Sequence, residues 1–153
     1  MPRHFEKRTL PYSPAQIFDL VADIESYPIF LPWCREAVIV ERNGTGNVVA
    51  DLVVGNYVFS DSFRSHVVLD RPHAITVTYG GGALKALSNV WHFDSVSQGG
   101  CEVSFLVDFT MCSFVMGALM NSFFDKAFGR MVVAFEQRAL CLYGDKSSFL
   151  SQP

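Results

Sequence analysis

The sequence has few of the features that mark metal sites, disulfide scaffolds or secreted proteins. None of its four cysteines belongs to a CxxC pair, and its four histidines are scattered without ligand spacing. Neither a disulfide framework nor a metal site is therefore indicated. We expect a reducing compartment, no bound metal and no required cofactor; the cysteines are Cys34, Cys101, Cys112 and Cys141.

Long apolar runs and an excess of positive charge are also missing. No uncharged stretch reaches the roughly 18 to 20 residues of a membrane-spanning helix. Residues 1–8 are charged where a signal peptide needs an apolar run. The net charge is −3 and the pI about 5.7, so no general positive field attracts phosphates. We therefore expect a cytoplasmic protein that does not bind DNA.

Catalytic signatures are absent too. The chain has no GxSxG elbow, no P-loop and no dinucleotide-binding fingerprint, and Gly80-Gly81-Gly82 lacks the helix and lysine of a phosphate cradle. We expect that glycine run to be a loop and the protein not to be an enzyme. A catalytic pair that forms only in three dimensions stays open at this point.

Apolar residues, and phenylalanine above all, are abundant. Hydrophobic residues make up 50% of the chain, which has 14 phenylalanines, and only 18% of the residues are charged. This composition predicts a compact protein whose large rings either fill a core or line a wide apolar pocket. We expect one domain over residues 1–144, followed by a flexible tail over residues 145–153.

The periodicity predicts an α+β fold. Residues 4–10 alternate as a strand, Ser13 and Pro14 start a short helix with Gln16 at its third position, and the proline-rich residues 27–34 form a connector with a second helical turn. Residues 35–110 alternate with recurring turns, as antiparallel strands do. Residues 111–143 have helical spacing and no proline. We therefore expect a curved antiparallel sheet of about seven strands around one long C-terminal helix.

The inward face of this sheet opposes an unusually wide apolar face of the long helix. A filled core produces this pattern, and a ligand-binding cavity between the two faces is the alternative. The residues that we expect to line such a cavity are Phe30, Leu31, Trp33, Tyr57, Phe59, Asp61, Phe63, Val77, Tyr79, Trp91, Phe93, Phe105, Val107, Leu119, Phe123, Ala127, Arg130 and Met131.

Two charged residues interrupt these apolar faces. Asp61 is in phase with Phe59 and Phe63, and Arg130 lies at the edge of the helix's apolar arc. A charge on an apolar face is costly unless it is paired, hydrated or in use, so one interpretation is a polar anchor for a ligand. The other is that a β-bulge turns Asp61 outward while Arg130 extends to solvent.

Residues 111–124 carry no charge, and the connector contributes aromatic side chains over residues 27–33. Both segments offer apolar surface without a charge to desolvate, so they are candidates for the ligand entrance. We expect transient contact there with a membrane surface. The alternative is that both segments are buried core.

Several motifs, in chain order, resemble the coenzyme Q-binding START-domain family, a group that also contains the bacterial ribosome association toxins. They are Pro11-Tyr12-Ser13-Pro14, residues 17–23, Phe30-Leu31-Pro32-Trp33-Cys34, Leu87-x-Asn89-x-Trp91-x-Phe93, Cys101-Glu102-Val103-x-Phe105 and residues 130–144. The chain departs from the family pattern at Gly55-Asn56-Tyr57 and at residues 81–83, both at the expected cavity rim.

The resemblance implies the helix-grip fold of the START and polyketide cyclase superfamily, with an internal hydrophobic cavity. It further implies that the ligand is ubiquinone or a similar lipid and that the protein is a quinone carrier or chaperone supporting respiration. A carrier of such a water-insoluble lipid must collect it at a bilayer, which we expect to be the inner face of the bacterial inner membrane. The alternative is a regulator that binds the large ribosomal subunit, which the net charge of −3 does not favour. A small-molecule cyclase is the third hypothesis, because related folds host enzymes.

Overall fold

Seven antiparallel strands form a single sheet in the order β1-β7-β6-β5-β4-β3-β2. The structure, a computed structural model, describes residues 3–31, 33–44, 46–55, 60–82, 84–111 and 114–144, with only the backbone described at residues 60–61, 84–85, 109–111 and 114–128. The strands are β1 (Arg3–Leu10), β2 (Cys34–Asn43), β3 (Asn47–Gly55), β4 (Ser60–Asp70), β5 (Ala74–Gly82), β6 (Leu84–Ser95) and β7 (Cys101–Met111).

Three α-helices accompany the sheet: α1 (Pro14–Ala22), α2 (Tyr27–Phe30) and α3 (Phe114–Tyr143). A 3-10 turn (Ile24–Ser26) joins α1 to α2. The predicted α+β architecture, with two short helices after the first strand and one long C-terminal helix, is confirmed. The long helix begins at Phe114 instead of residue 111, because β7 continues to Met111. Within the described ranges, no helix has the length and hydropathy needed to cross a bilayer.

A capping box fixes the start of α1. The Gln16 backbone N–H donates to the Ser13 hydroxyl at 3.2 Å, and the Ser13 N–H donates to the Gln16 side chain at 3.0 Å. These two bonds satisfy donors that the first helical turn leaves free. The buried face of α1, which includes Phe18 and Val21, is thereby held against the inner side of the sheet.

The C-terminal end of α3 is fastened to α1. The Tyr143 hydroxyl donates to the Gln16 carbonyl at 2.8 Å, and the Tyr12 hydroxyl donates to the Gly144 carbonyl at 2.9 Å. One turn earlier along α3, Ala139 is fully buried. The described half of α3 therefore has a defined distance and rotation relative to the sheet, which positions its side chains over the sheet's inner face.

The glycine run 80–82 is part of β5, so the prediction of a loop there was wrong. A β-bulge shifts the β4–β5 register between Arg64 and Ser65, and Gly82 pairs with Phe63. A Cβ atom on Gly82 would lie 2.6 Å from the Phe63 Cα, and the φ of Gly82 is +127°. Only glycine allows the two backbones to approach this closely in this conformation, and the run keeps β5 paired with β4.

Candidate functional site

An apolar cavity of about 150 Å³ lies between the inner face of the sheet and the helices. The strands β3 to β7 form its floor, and α1, α2, α3 and the segments between them form its roof. The described residues that line it are Val21, Ala22, Ile24, Tyr27, Leu31, Trp33, Leu52, Val54, Phe63, Ser65, Val67, Ile75, Val77, Leu87, Asn89, Trp91, Phe105, Val107, Met131 and Phe135. None of these residues carries a formal charge.

The floor of the cavity is organised around Trp91 on β6. Its indole N–H donates to the Asn89 side-chain oxygen at 2.9 Å, and the Asn89 amide donates to the Leu106 carbonyl on β7 at 2.9 Å. The Trp91 ring lies 4.4 Å from the Phe105 ring and 5.2 Å from the Phe135 ring of α3, measured between centroids. The two hydrogen bonds fix the indole, which in turn sets the spacing between sheet and helix.

Ser65 is a second polar group in this apolar wall. It is only 2% exposed, and its hydroxyl lies 3.4 Å from the Ala50 carbonyl. A bond of that length is weak, so the hydroxyl can turn toward a ligand at low cost. Together, Ser65 on β4 and Asn89 on β6 give the cavity floor two uncharged hydrogen-bonding groups.

Burial keeps the remaining polar groups around the cavity neutral. The Tyr27 hydroxyl donates to the Val21 carbonyl, and burial raises the pKa of Tyr27 far above its usual range. Burial also raises the pKa of the neighbouring Cys34 thiol to about 12. Among the described residues, no three His, Cys, Asp or Glu side chains cluster as metal ligands would. The site therefore favours binding of a neutral, largely apolar molecule.

The structure brings eight of the predicted residues to the cavity wall, and each contributes an apolar or aromatic surface. They are Leu31, Trp33, Phe63, Val77, Trp91, Phe105, Val107 and Met131. They belong to the four strands β4 to β7, the connector after α2 and the long helix. The alternation of β4 explains the inward position of Phe63, because Arg64 and His66 on the opposite face are exposed.

Four other predicted residues do not line the cavity. Phe93 is 1% exposed and fills the core against Phe18, with ring centroids 5.7 Å apart. Phe30 is half-buried and packs against Phe135 of α3, with ring centroids 5.2 Å apart. Tyr79 is half-buried beside the bulge in the β4–β5 register, which redirects side chains. Arg130 is exposed, because its long side chain brings the charge to water.

The prediction that Asp61 and Arg130 form a polar anchor is therefore wrong for Arg130, whose side chain is exposed. The backbone of Asp61 pairs with Val54 in an unbroken β3–β4 register, and its side chain lies outside the described part. Tyr57 and Phe59 also lie outside the described residues. For three further candidates on α3 the structure describes the backbone alone: Leu119, Phe123 and Ala127.

Sequence reasoning did not include in the cavity wall three roof residues that lie between β1 and β2. Val21, Ile24 and Tyr27 line the cavity. The sequence pattern assigns Val21 only to the short first helix, gives Ile24 no role, and places Tyr27 in the connector as part of a candidate ligand entrance. Phe135 on α3 was also missed, although it belongs to the predicted apolar arc of the helix. Asn89 had a detectable signal, since it is a polar residue in phase with Leu87 and Trp91 on an inward strand face.

Comparisons with known proteins agree with this geometry. The family model described as polyketide cyclase / dehydrase and lipid transport matches residues 10–136. The ribosome association toxin RatA of Rickettsia prowazekii is 36% identical over 136 residues, which cover 86% of this chain and 92% of that protein. The mitochondrial coenzyme Q-binding protein COQ10 homolog B of Xenopus laevis is 32% identical over 91% of this chain and 58% of its own length.

A solved structure gives the same picture. The solution structure of an 18 kDa protein from Caulobacter crescentus has a TM-score of 0.77 and 32% identity, and the match covers 95% of this chain and 100% of that one. The predicted helix-grip fold and the predicted family resemblance are thus both confirmed. The family match spans every strand from β2 to β7 and most of α3, and the chain therefore belongs to the polyketide cyclase / dehydrase and lipid transport family.

Proposed function

We propose that this protein binds ubiquinone, or a lipid of the same kind, in the cavity and acts as a quinone carrier or chaperone that supports respiration. The observation that carries the proposal is a cavity whose described walls carry no charge and are apolar apart from a few uncharged polar groups, among them Ser65 and Asn89. A quinone ring is flat, uncharged and apolar apart from its carbonyl oxygens. In this proposal the Ser65 hydroxyl and the second amide hydrogen of Asn89 donate hydrogen bonds to such oxygens.

The volume sets which part of the lipid fits inside. An apolar cavity of roughly 150 Å³ accommodates a molecule the size of benzene, and the cavity here has about that volume. It therefore suits a single ring and not an entire polyprenyl chain. The lipid is the ligand in this proposal, and no further cofactor is required. Because such a chain is insoluble in water, loading takes place during transient contact with a membrane surface.

Binding without turnover is the activity that this site supports. General acid–base chemistry needs a titratable group within hydrogen-bond reach of the reacting atoms, and the described lining residues include no acid, lysine, arginine or histidine. The similarity to a protein named for coenzyme Q binding supports the same proposal.

Fluorescence provides a direct test, because both tryptophans of the chain, Trp33 and Trp91, line the cavity. A short-chain ubiquinone is titrated into the protein, and saturable quenching is expected. The variant Val54→Trp fills the cavity from β3, whereas Val53→Trp places the same side chain on the neighbouring residue, which does not line it. We expect Val54→Trp to weaken binding at least about tenfold, or about 1.4 kcal/mol, and Val53→Trp to leave it unchanged.

Mass spectrometry of an organic extract provides the second measurement. Protein purified from quinone-containing cells is expected to carry a stoichiometric apolar molecule, and Val54→Trp protein to carry much less. An empty extract, combined with no saturable quenching by short-chain ubiquinone, would refute the proposal.

Association with the large ribosomal subunit is the second candidate function. Its specific support is the 36% identity to a protein named as a ribosome association toxin. The test is co-sedimentation of the protein with large subunits at low and moderate salt. Because ribosome contact uses the surface, Val54→Trp should still co-sediment if this function applies. Loss of quinone binding with retained co-sedimentation would separate the two functions.

A further inference from the structure

A second cavity lies on the far side of Trp91 from the first. It has a volume of about 50 Å³ and is bordered by β1, β7, α1 and α3. We call it the smaller cavity and the site described above the larger cavity. Its interior is mainly aliphatic, with Leu10, Val103 and Val132 among the lining residues, while Glu6, Arg8 and Glu136 also border it.

The two cavities share one wall. Val21, Trp91, Phe105, Met131 and Phe135 line both. The Trp91 ring reaches from the sheet to the Phe135 ring of α3, with 5.2 Å between their centroids. These rings separate the cavities beneath the helix. Met131 completes the partition, and its side chain is unbranched with three rotatable bonds, so it can move aside without disturbing the ring contacts.

Ion pairs close the smaller cavity at the protein surface. The Arg8 guanidinium lies 2.7 Å from a Glu6 carboxylate oxygen and 3.0 Å from a Glu136 carboxylate oxygen, and the Arg8 side chain is 48% exposed. This arrangement connects β1 to α3 across the cavity. Exposed pairs of this kind contribute little stability, so they can separate and re-form while an apolar group enters beneath them.

Resting on the proposed function, we infer that the smaller cavity receives the first carbons of the hydrocarbon chain whose ring occupies the larger cavity. Only the shared wall separates the two spaces, and Met131 is part of that wall. An extended hydrocarbon chain is narrower than a ring, so displacement of one methionine side chain opens a sufficient path. The lining of Leu10, Val103 and Val132 suits methylene groups and offers no partner to a carbonyl oxygen deep inside.

The test compares two probes in the full-length chain: a methoxy-substituted benzoquinone without a chain, and the same ring carrying a decyl chain. The variant Val132→Phe extends a side chain into the smaller cavity, since Val132 is half-buried and lines that cavity alone. Its matched control is Val133→Phe, at the next helical position, where the side chain is 50% exposed. Binding is measured by tryptophan quenching, and folding by thermal melting.

We expect Val132→Phe to weaken binding of the decyl probe about tenfold, because each buried methylene changes affinity about fourfold. Binding of the ring-only probe should stay within twofold of the unsubstituted protein, and Val133→Phe should change neither probe. If Val132→Phe melts at a much lower temperature, Val132→Leu replaces it, with a smaller loss expected for the decyl probe alone.

Equal affinity of the decyl probe for the unsubstituted protein and a folded Val132 variant would overturn the inference. An equal loss for both probes would also overturn it, because the substitution would then act through the larger cavity. Failure of the proposed function itself gives a different result: neither probe would bind the unsubstituted protein. Binding of both probes, with no effect at Val132, would leave the proposed function standing without the chain site.

Discussion

Replacing Asn89 by alanine should destabilise the protein by about 3 kcal/mol. The substitution leaves the indole N–H of Trp91 and the Leu106 carbonyl without the partners they have at 2.9 Å. A buried polar group that loses its partner costs about 1–3 kcal/mol. Trp91 is 8% exposed, which favours the upper part of that range for the indole. The carbonyl adds a smaller contribution because it can accept a second bond.

The free energy of unfolding is measured by urea denaturation. Circular dichroism is the signal, because it follows the backbone structure and does not rely on tryptophan fluorescence. For a chain of this length, 3 kcal/mol corresponds to a fall in melting temperature of roughly 6–12 °C. The control is Asn47→Ala on β3, where the side chain is exposed and the change should stay within about 0.5 kcal/mol.

A double-mutant cycle isolates the bond itself. Trp91→Phe removes the indole donor and leaves the Asn89 amide in place. If the bond stabilises the cavity floor as described, the effects of Asn89→Ala and Trp91→Phe should be non-additive by about 1 kcal/mol. Additivity within about 0.3 kcal/mol would refute the reasoning, since the two side chains would then contribute independently.

Two further predictions follow from pKa values. Burial raises the pKa of the Cys34 thiol to about 12 and that of the Cys101 thiol to about 11. Iodoacetamide at pH 8 should therefore modify the exposed Cys141 long before either of these thiols. Peptide mass spectrometry measures the order of modification, and early modification of Cys34 would contradict the prediction. The hydrogen bond from Arg64 lowers the pKa of Asp51, so this pair stabilises the fold above the ordinary pKa of aspartate and loses that effect as pH falls through the lowered value. In Arg64→Met the pKa of Asp51 should rise, which a carboxyl NMR titration measures, and an unchanged titration would exclude the pairing.

The sheet was predictable from sequence where the alternation is strict. In β4, Phe63 and Val67 face inward and Arg64 and His66 face outward, as a period of two requires. The glycine run of β5 was wrongly predicted to be a loop, because glycine is common both in loops and where two strands approach each other closely. What decides between them is the position of a neighbouring backbone, here the Phe63 Cα beside Gly82, and that information is not local in sequence.

The cavity was predictable in kind but only partly in its residues. Periodicity assigns Phe93 and Phe105 to the same face, yet Phe93 is packed against Phe18 while Phe105 lines the cavity. Whether a cavity forms depends on the summed volumes of many side chains. The alternation of apolar and polar residues along a strand carries no information about that sum. Arg130 was misplaced because a residue at the edge of a helical arc changes sides with a small rotation of the helix, and the rotation is set by packing.

The pairing of β1 with β7 has a consequence for synthesis. Arg3 and Asp108 are partners, although 105 positions separate them in the chain. At a synthesis rate of about 5–20 residues per second, roughly 5–20 s pass between the synthesis of β1 and that of β7, the strand with which it pairs. During that interval it is an unpaired strand of the type that associates with other nascent chains. The charges of Lys7 and Arg8 disfavour such association during this interval. In the folded protein the same two residues form ion pairs with Glu102 and Glu136.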